Sequence, residues 1–148
     1  MVNKIGDPKG KIKKKIESKR KLDKKLWSIF SVYVRLRDSN SQGYLNCISC
    51  GELVHYKKAH AGHYIPTGFR YIKFNEYNVN GQCVRCNAFL QGNTDSYRHN
   101  LIDKAGLDIV EGLERDKHKI FIVKADWYLE MIEYYKKEVD KITKIKGI

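Results

Sequence analysis

No stretch of this 148-residue chain approaches the roughly 18–20 consecutive apolar residues that span a bilayer, so neither a transmembrane helix nor a membrane partner is expected. The opening residues, Met1 to Asp7, run into a strongly basic segment without an apolar core. A secretory signal is therefore not expected, and a cytoplasmic setting follows. Internal repeats are absent. Acids are scarce: 17 Asp and Glu stand against 29 Lys and Arg, for a formal net charge of +12. That imbalance does not speak to fold, but it favours a polyanionic partner, of which nucleic acid is the commonest. Two Trp, ten Tyr, five Phe and an apolar fraction of 42% exclude global disorder and suffice for one core. Cysteines are few as well. In a reducing compartment the four present need a purpose other than disulfides.

What is present divides the chain into four parts. Residues 1–18 form a basic arm. From Pro8 to Lys25 there are ten Lys or Arg against Glu17 and Asp23. Such a run is a solvated arm, and Lys13, Lys14 and Lys15 in it are candidate phosphate contacts that raise affinity without sequence choice. Residues 19–40 hold an amphipathic helix from about Lys19 to Arg37, because Leu22, Leu26, Ile29, Phe30, Tyr33 and Leu36 recur at three- and four-residue steps. Asp38 to Gly43 reads as a loop. Residues 41–106 are short-period and rich in Gly, His and Tyr. Strands are expected around Leu53–Tyr56 and His60–Ile65, a turn at Pro66-Thr67-Gly68, a short helix from Val84 to Leu90, and another to Ala105 capped by Thr94 or Asp95. Residues 107–148 form a helical extension: a short helix from Leu107 to Arg115, then a long one capped by Asp126 with an apolar stripe through Tyr128, Ile132 and Tyr135.

Cys47-Ile-Ser-Cys50-Gly51 and Cys83-Val-Arg-Cys86-Asn87 are two Cys-x-x-Cys pairs separated by 32 residues. Two-residue spacing lets both thiolates of a pair face one ion, and Gly51 supplies the permissive backbone of the knuckle turn. Four thiolates make a closed, structural Zn2+ site with no position left for a substrate.

The span between the knuckles carries His60-Ala61-Gly62-His63, then Asn78-Val79, and Asn87 follows the last cysteine directly. Phosphodiester hydrolysis needs a base to deprotonate water, a cation to neutralise developing charge, and a group to orient the base. His63, a metal held through Asn87, and Asn78 are the candidates for these roles. An amide oxygen is a hard ligand suited to Mg2+ or Mn2+. Asn78 also fits a turn cap, and Asn93 beside Gly92 fits either a helix cap or a place at the metal.

In order, Arg35-Leu-Arg-Asp38, Cys47-Ile-Ser-Cys-Gly51, Ala61-Gly-His-Tyr64, Phe74-Asn-Glu76, Asn78-Val79, Gln82-Cys83, Cys86-Asn87, Gly92-Asn93 and Tyr97-Arg98 span about half the chain. This series resembles the HNH or His-Me finger nucleases, and more closely the phage NinG (Rap) family of recombination endonucleases. The resemblance implies an α+β fold: a small zinc-stapled ββα-metal core flanked by N- and C-terminal helices. It implies a divalent-metal-dependent endonuclease that cleaves branched recombination intermediates such as Holliday junctions and D-loops. His63 would activate water, Asn78 would orient it, and Asn87 would ligate the catalytic metal. In one respect the sequence departs from the pattern. Many such enzymes have an acidic ligand immediately before the base, and Gly62 occupies that position here. An acid commonly found three residues before the base is replaced by His60, which is therefore a candidate ligand for Mg2+ or Mn2+.

Arg70, Lys73, Arg85, Asn93 and Arg98 are further candidate DNA contacts. Cutting two strands symmetrically suits a homodimer, with the Leu22–Leu36 stripe and the final helix as candidate faces. Two other readings use the same residues: a non-enzymatic zinc-dependent DNA-binding module, and a sequence-specific homing or restriction HNH enzyme. Deleting residues 1–18 removes six Lys and two acids. It is expected to flatten the salt dependence of DNA affinity by about 0.9 for each phosphate that the arm no longer neutralises. Fluorescence anisotropy across a salt series reads this, and an unchanged slope would take the arm off the DNA.

Overall fold

A computed structural model describes residues 17–148. Lys13, Lys14 and Lys15 of the basic arm lie outside the described residues. Helix α1 runs over Lys19–Asp38. Ser18 caps it through its hydroxyl, which accepts from the Lys21 N–H at 3.3 Å. At the other end the Ser39 hydroxyl donates to the Leu36 carbonyl at 2.8 Å and closes the last turn. Strands β1 (Tyr44–Asn46) and β2 (Leu53–His55) pair antiparallel. Strands β3 (His60–His63) and β4 (Val79–Gln82) form a second antiparallel pair, with His60 opposite Gln82 and His63 opposite Val79. A 3-10 turn, Arg70–Ile72, lies in the connection between β3 and β4. A π-helical segment, Arg85–Phe89, follows β4. Then come α2 (Thr94–Ala105), α3 (Leu107–Asp116) and α4 (Ala125–Lys146). The architecture is mixed α+β. Among the described residues no helix is long and apolar enough to cross a membrane.

Several expectations are corrected here. Strand β4 was not expected, because Val-Asn-Gly-Gln lacks the alternation and β-branching of a strand, and Asn-Gly ordinarily marks a turn. The short helix after Cys83 is a π-helical turn. Asn93 occupies the cap position of α2 in a left-handed conformation, with Asp95 in the first turn, and Lys124 occupies that of α4, with Asp126 in its first turn. The stripes of α1 and α4, offered as dimer faces, cover each other. Leu22, Leu26, Phe30, Tyr33 and Val34 pack with Tyr128, Ile132 and Tyr135 in one buried cluster. Ala61 of β3 and Val79 of β4 belong to that cluster, so the β3–β4 pair is mounted on the helix pair. A second cluster, including Tyr64, Ile65, Ile72, Tyr97, Leu101, Val110 and Leu113, fastens α2 and α3 to the connection between β3 and β4.

Polar ties fix the register between these layers. Arg37 donates to the Glu76 carbonyl (2.9 Å), the Val79 carbonyl (2.9 Å) and the Asp38 carboxylate. Asp38 in turn accepts from the Gly81 N–H at 2.8 Å and pairs with Lys104 of α2. On the other side, Asp23 of α1 receives Arg70 at 2.6 Å, the Lys73 ammonium and the Tyr128 hydroxyl at 3.1 Å. Burial opposes ionisation of Asp23, but its bond to Lys73 and the charges of Lys73 and Arg70 outweigh that, so its carboxyl titrates below the usual range.

A carboxyl whose folded pKa is depressed stabilises the fold above its unfolded value, near 3.9, and loses that contribution as pH falls through the folded value. Asp23→Ala is therefore expected to destabilise by roughly 1–3 kcal/mol at neutral pH, because Lys73 loses its partner. The gap between wild type and variant should close below about pH 4. Urea melts at neutral and acid pH measure both.

Candidate functional site

The four cysteine sulfurs lie within 4.8 Å of one another. Cys50 and Cys83 approach to 3.7 Å, and all four cysteines are free. A tetrahedron with Zn–S near 2.3 Å has sulfurs roughly 3.8 Å apart, so the cluster fits a zinc-like ion and not a pair of disulfides. The first knuckle closes through the Gly51 N–H on the Cys47 carbonyl at 2.8 Å, with Gly51 at φ +78. The second knuckle puts the Cys86 N–H on the Cys83 sulfur at 3.4 Å. The two are joined by protein as well: Ile48 N–H donates to the Gly81 carbonyl at 3.0 Å, and Asn100 of α2 donates to the Ile48 and Ser49 carbonyls. Burial pushes the Cys83 thiol up to about 12 in the absence of an ion. Loading the site therefore releases protons.

His63, at the end of β3, stacks on Trp27 of α1 with ring centroids 4.8 Å apart. Its Nε2 lies 2.9 Å from the Lys73 carbonyl. A carbonyl only accepts, so Nε2 carries the proton and Nδ1 keeps its lone pair in the neutral ring. Nδ1 has no protein partner among the described residues and is not sealed from solvent. Burial lowers the imidazole pKa below its ordinary 6.5, and the positive charge of Lys73 adds to this against the opposing hydrogen bond to the carbonyl. A half-buried neutral imidazole with one open lone pair is what a general base requires.

Asn78 does not perform the expected contact. Its side chain is fully buried, and it accepts from the Ile65 N–H (2.8 Å) and donates to the carbonyls of Ile65 (3.0 Å) and Ile72 (3.2 Å). It clamps both ends of the segment that leads to Lys73, and the Lys73 carbonyl is what touches His63. His60 is also placed differently from the expectation of a metal ligand. Its Nδ1 accepts from the Asn87 amide nitrogen at 2.9 Å, so that lone pair is occupied and the Asn87 oxygen is turned toward Gly62.

Asn87 and His60 line an open cleft of about 440 Å³ with Trp27, Arg35, Lys57 and Lys58. Among the described residues no acid lines this cleft. Trp27 connects it to His63, which it stacks upon. Arg35, Lys57, Lys58 and Trp27 were not singled out as functional from the sequence. The signal available for the lysines was their position two and three residues before His60.

The expected DNA contacts fare unevenly. Arg70 and Lys73 are engaged by Asp23, and Lys73 is nearly buried. Arg98 is paired with Glu114 at 2.6 Å. The Asn93 amide points at the Cys86 sulfur, 3.6 Å away. Arg85 is exposed on the second knuckle and has no side-chain partner among the described residues.

The profile of a family described as "Bacteriophage Lambda NinG protein" matches residues 4–145. Among curated proteins, the chain is similar to "Protein ninG" of Escherichia phage lambda, at 37% identity over 90 residues covering 60% of this chain and 42% of that protein. It is similar to "Protein ninG" of Salmonella phage P22 at 39% over 90 residues, covering 60% and 41%. The chain thus spans about two fifths of the length of the curated relatives it matches. No solved structure matches.

Cys83→Ser is expected to release zinc and to abolish the cooperative melting of residues 44–106, since ligands come from both ends of that span. Metal analysis and thermal melting test this; one retained equivalent of zinc with a native transition would refute it.

Proposed function

The chain belongs to the NinG family, and from that premise we propose that it is a divalent-metal-dependent DNA endonuclease of the HNH, or ββα-metal, type that cleaves branched recombination intermediates. The observation that carries this reading is the fixed tautomer of His63. Its Nε2–H is spent on a backbone carbonyl, and its Nδ1 lone pair is left open at the end of a strand whose other residues meet Asn87. The succession of β3, β4 and the helical turn bearing Asn87 has the strand–strand–helix order of a ββα-metal motif.

The roles follow from the contacts. His63 takes a proton from water at Nδ1, while Lys73 holds its opposite nitrogen and Trp27 holds its face. Asn78 acts as a positioning residue, keeping the chain that bears the Lys73 carbonyl in place. His60 orients the Asn87 carboxamide. A bound Mg2+ or Mn2+ would neutralise charge on the phosphate and the leaving oxygen. Asn87 would hold it, because a carboxamide oxygen is a hard donor and the neighbouring orphaned oxygen of Gln82 leaves the same space short of a positive partner. Lys57, Lys58 and Arg35 supply positive charge along the cleft where a phosphate backbone would run. The zinc cluster has no open position and serves as frame. The preference for branched DNA rests on the family alone.

His63→Ala is expected to lower the cleavage rate of a four-way junction by roughly 10²–10⁴-fold with the fold intact. Because the base must be unprotonated and its pKa is depressed, the wild-type rate should rise on a limb centred below pH 6.5 and then level. Equal cutting by wild type and variant, with salt-dependent binding preserved, would favour a non-catalytic zinc-dependent DNA-binding module.

A further inference from the structure

Gln82 closes β4, directly before Cys83, and is fully buried. Its amide nitrogen donates to the Ser49 hydroxyl and to the Gly92 carbonyl, both at 2.8 Å. Because a carbonyl only accepts, the nitrogen must face Gly92, and the amide cannot be turned over. The oxygen therefore faces the other way. Among the described residues, Gln82 Oε1 is the one buried side-chain nitrogen or oxygen without a hydrogen-bond partner. Such orphans are rare in folded proteins and call for a physical reason.

The orphan has a direction. A Cβ built on Gly62 would lie 1.7 Å from Gln82 Oε1 and 3.1 Å from Asn87 Oδ1. Two carboxamide oxygens thus converge on the space that a side chain at position 62 would fill. Both are anchored from behind, Gln82 by the zinc knuckles and Asn87 by His60. Acceptors aimed at one point repel unless a donor or a cation stands between them, and among the described residues no protein donor does so for Gln82.

We propose that Gln82 is a second protein ligand of a hard divalent cation, its oxygen standing in from β4 for the carboxylate that is missing at Gly62 and sharing the ion with Asn87. This rests on the metal-dependent reading above and deepens it. Gly62 is then required for space: any side chain there would displace the Gln82 oxygen. A site of neutral oxygens selects Mg2+ or Mn2+ over zinc, whose preferred thiolates lie in the adjacent cluster. It also carries no negative charge, so the ion's remaining positions fall to water and to phosphate oxygens of the nucleic acid.

Mn2+ is the probe, titrated into the zinc-loaded full chain with and without a four-way DNA junction and followed by the electron paramagnetic resonance of free Mn2+. The wild type should take up one ion, more tightly with DNA. Gln82→Met keeps length and removes the acceptor, and Gly62→Ala sets a methyl on it. Each should weaken Mn2+ by at least the roughly 10-fold typical of losing a group that supports a metal site, with zinc content unchanged. In the wild type, diamagnetic Mg2+ should shift the side-chain amide NMR signals of both Gln82 and Asn87, which needs no variant to fold. If Asn87→Ala loses Mn2+ while Gln82→Met and Gly62→Ala retain it, or if Mg2+ shifts only the Asn87 amide, Gln82 is not a ligand and the nuclease reading stands. If the wild type takes up no Mn2+ even with DNA, both fall.

Discussion

Everything in the middle of this chain depends on four sulfurs being held together. The strands there are three or four residues long, and two-stranded pairs of that size are not stable alone. Nor is apolar burial enough to fix them. All four residues of β4 are buried, yet Asn80 and Gln82 are polar. The cluster ties the end of β1 to the turn after β4, so both ends of the span are pinned to one point. Once pinned, the polar strand is satisfied piece by piece. Asn80 accepts from Lys104 and donates to Tyr97, and the Gly81 N–H meets Asp38. Each of these bonds reaches a helix, so the same polarity that makes β4 a poor strand in isolation makes it specific in its packing.

That division explains which features could be read from the residues alone. The two cysteine pairs were legible because metal ligation imposes a local spacing. Helices α1 and α4 were legible within a residue or two because their apolar stripes are local periodicities, and α2 because its start carries a local capping signal. Strand β4 was hidden, because Val-Asn-Gly-Gln becomes a strand only through its pairing with β3 and its ties to α1 and α2. The cationic candidates were hard to rank for the same reason. The acid nearest Lys73 in sequence is Glu76, yet Asp23, on α1, is the one that holds both Arg70 and Lys73. Arg98 meets Glu114 on the next helix. A basic residue in a basic protein looks free until its partner is located in space. Asn78 shows how a role can be reached by an indirect route. It stands beside the segment that steers His63, but it steers through backbone carbonyls and not by touching the ring.

The arrangement around His63 separates two tasks that are often combined. The imidazole is desolvated and carbonyl-bound, which sets its tautomer and lowers its pKa without a carboxylate partner. A carboxylate in that position would raise the pKa and favour the charged, inert form of a base. A carbonyl fixes orientation while leaving the ring neutral. Lys73 joins the parts: its carbonyl holds the imidazole and its ammonium is held by Asp23, so α1 reaches the ring through Lys73 as well as directly through the stacked Trp27.

The electrostatics of the cleft then bear on the order in which a metal and a nucleic acid would assemble there. The cleft is bordered by Arg35, Lys57 and Lys58 and, among the described residues, has no acid on its walls. A divalent cation entering it alone meets like charge and neutral oxygens. A phosphate entering it alone meets three cations but no metal to polarise it. Each lowers the cost of admitting the other, so their binding should be mutually reinforcing by linkage. On the proposed function this coupling has a use. A site that holds its metal well only when a phosphodiester is present avoids a standing reactive centre in a protein whose basic surface would bring it to any nucleic acid. On that same proposal, Gly62 in place of the ordinary acid, with a neutral oxygen brought in from the opposite strand, would create this dependence.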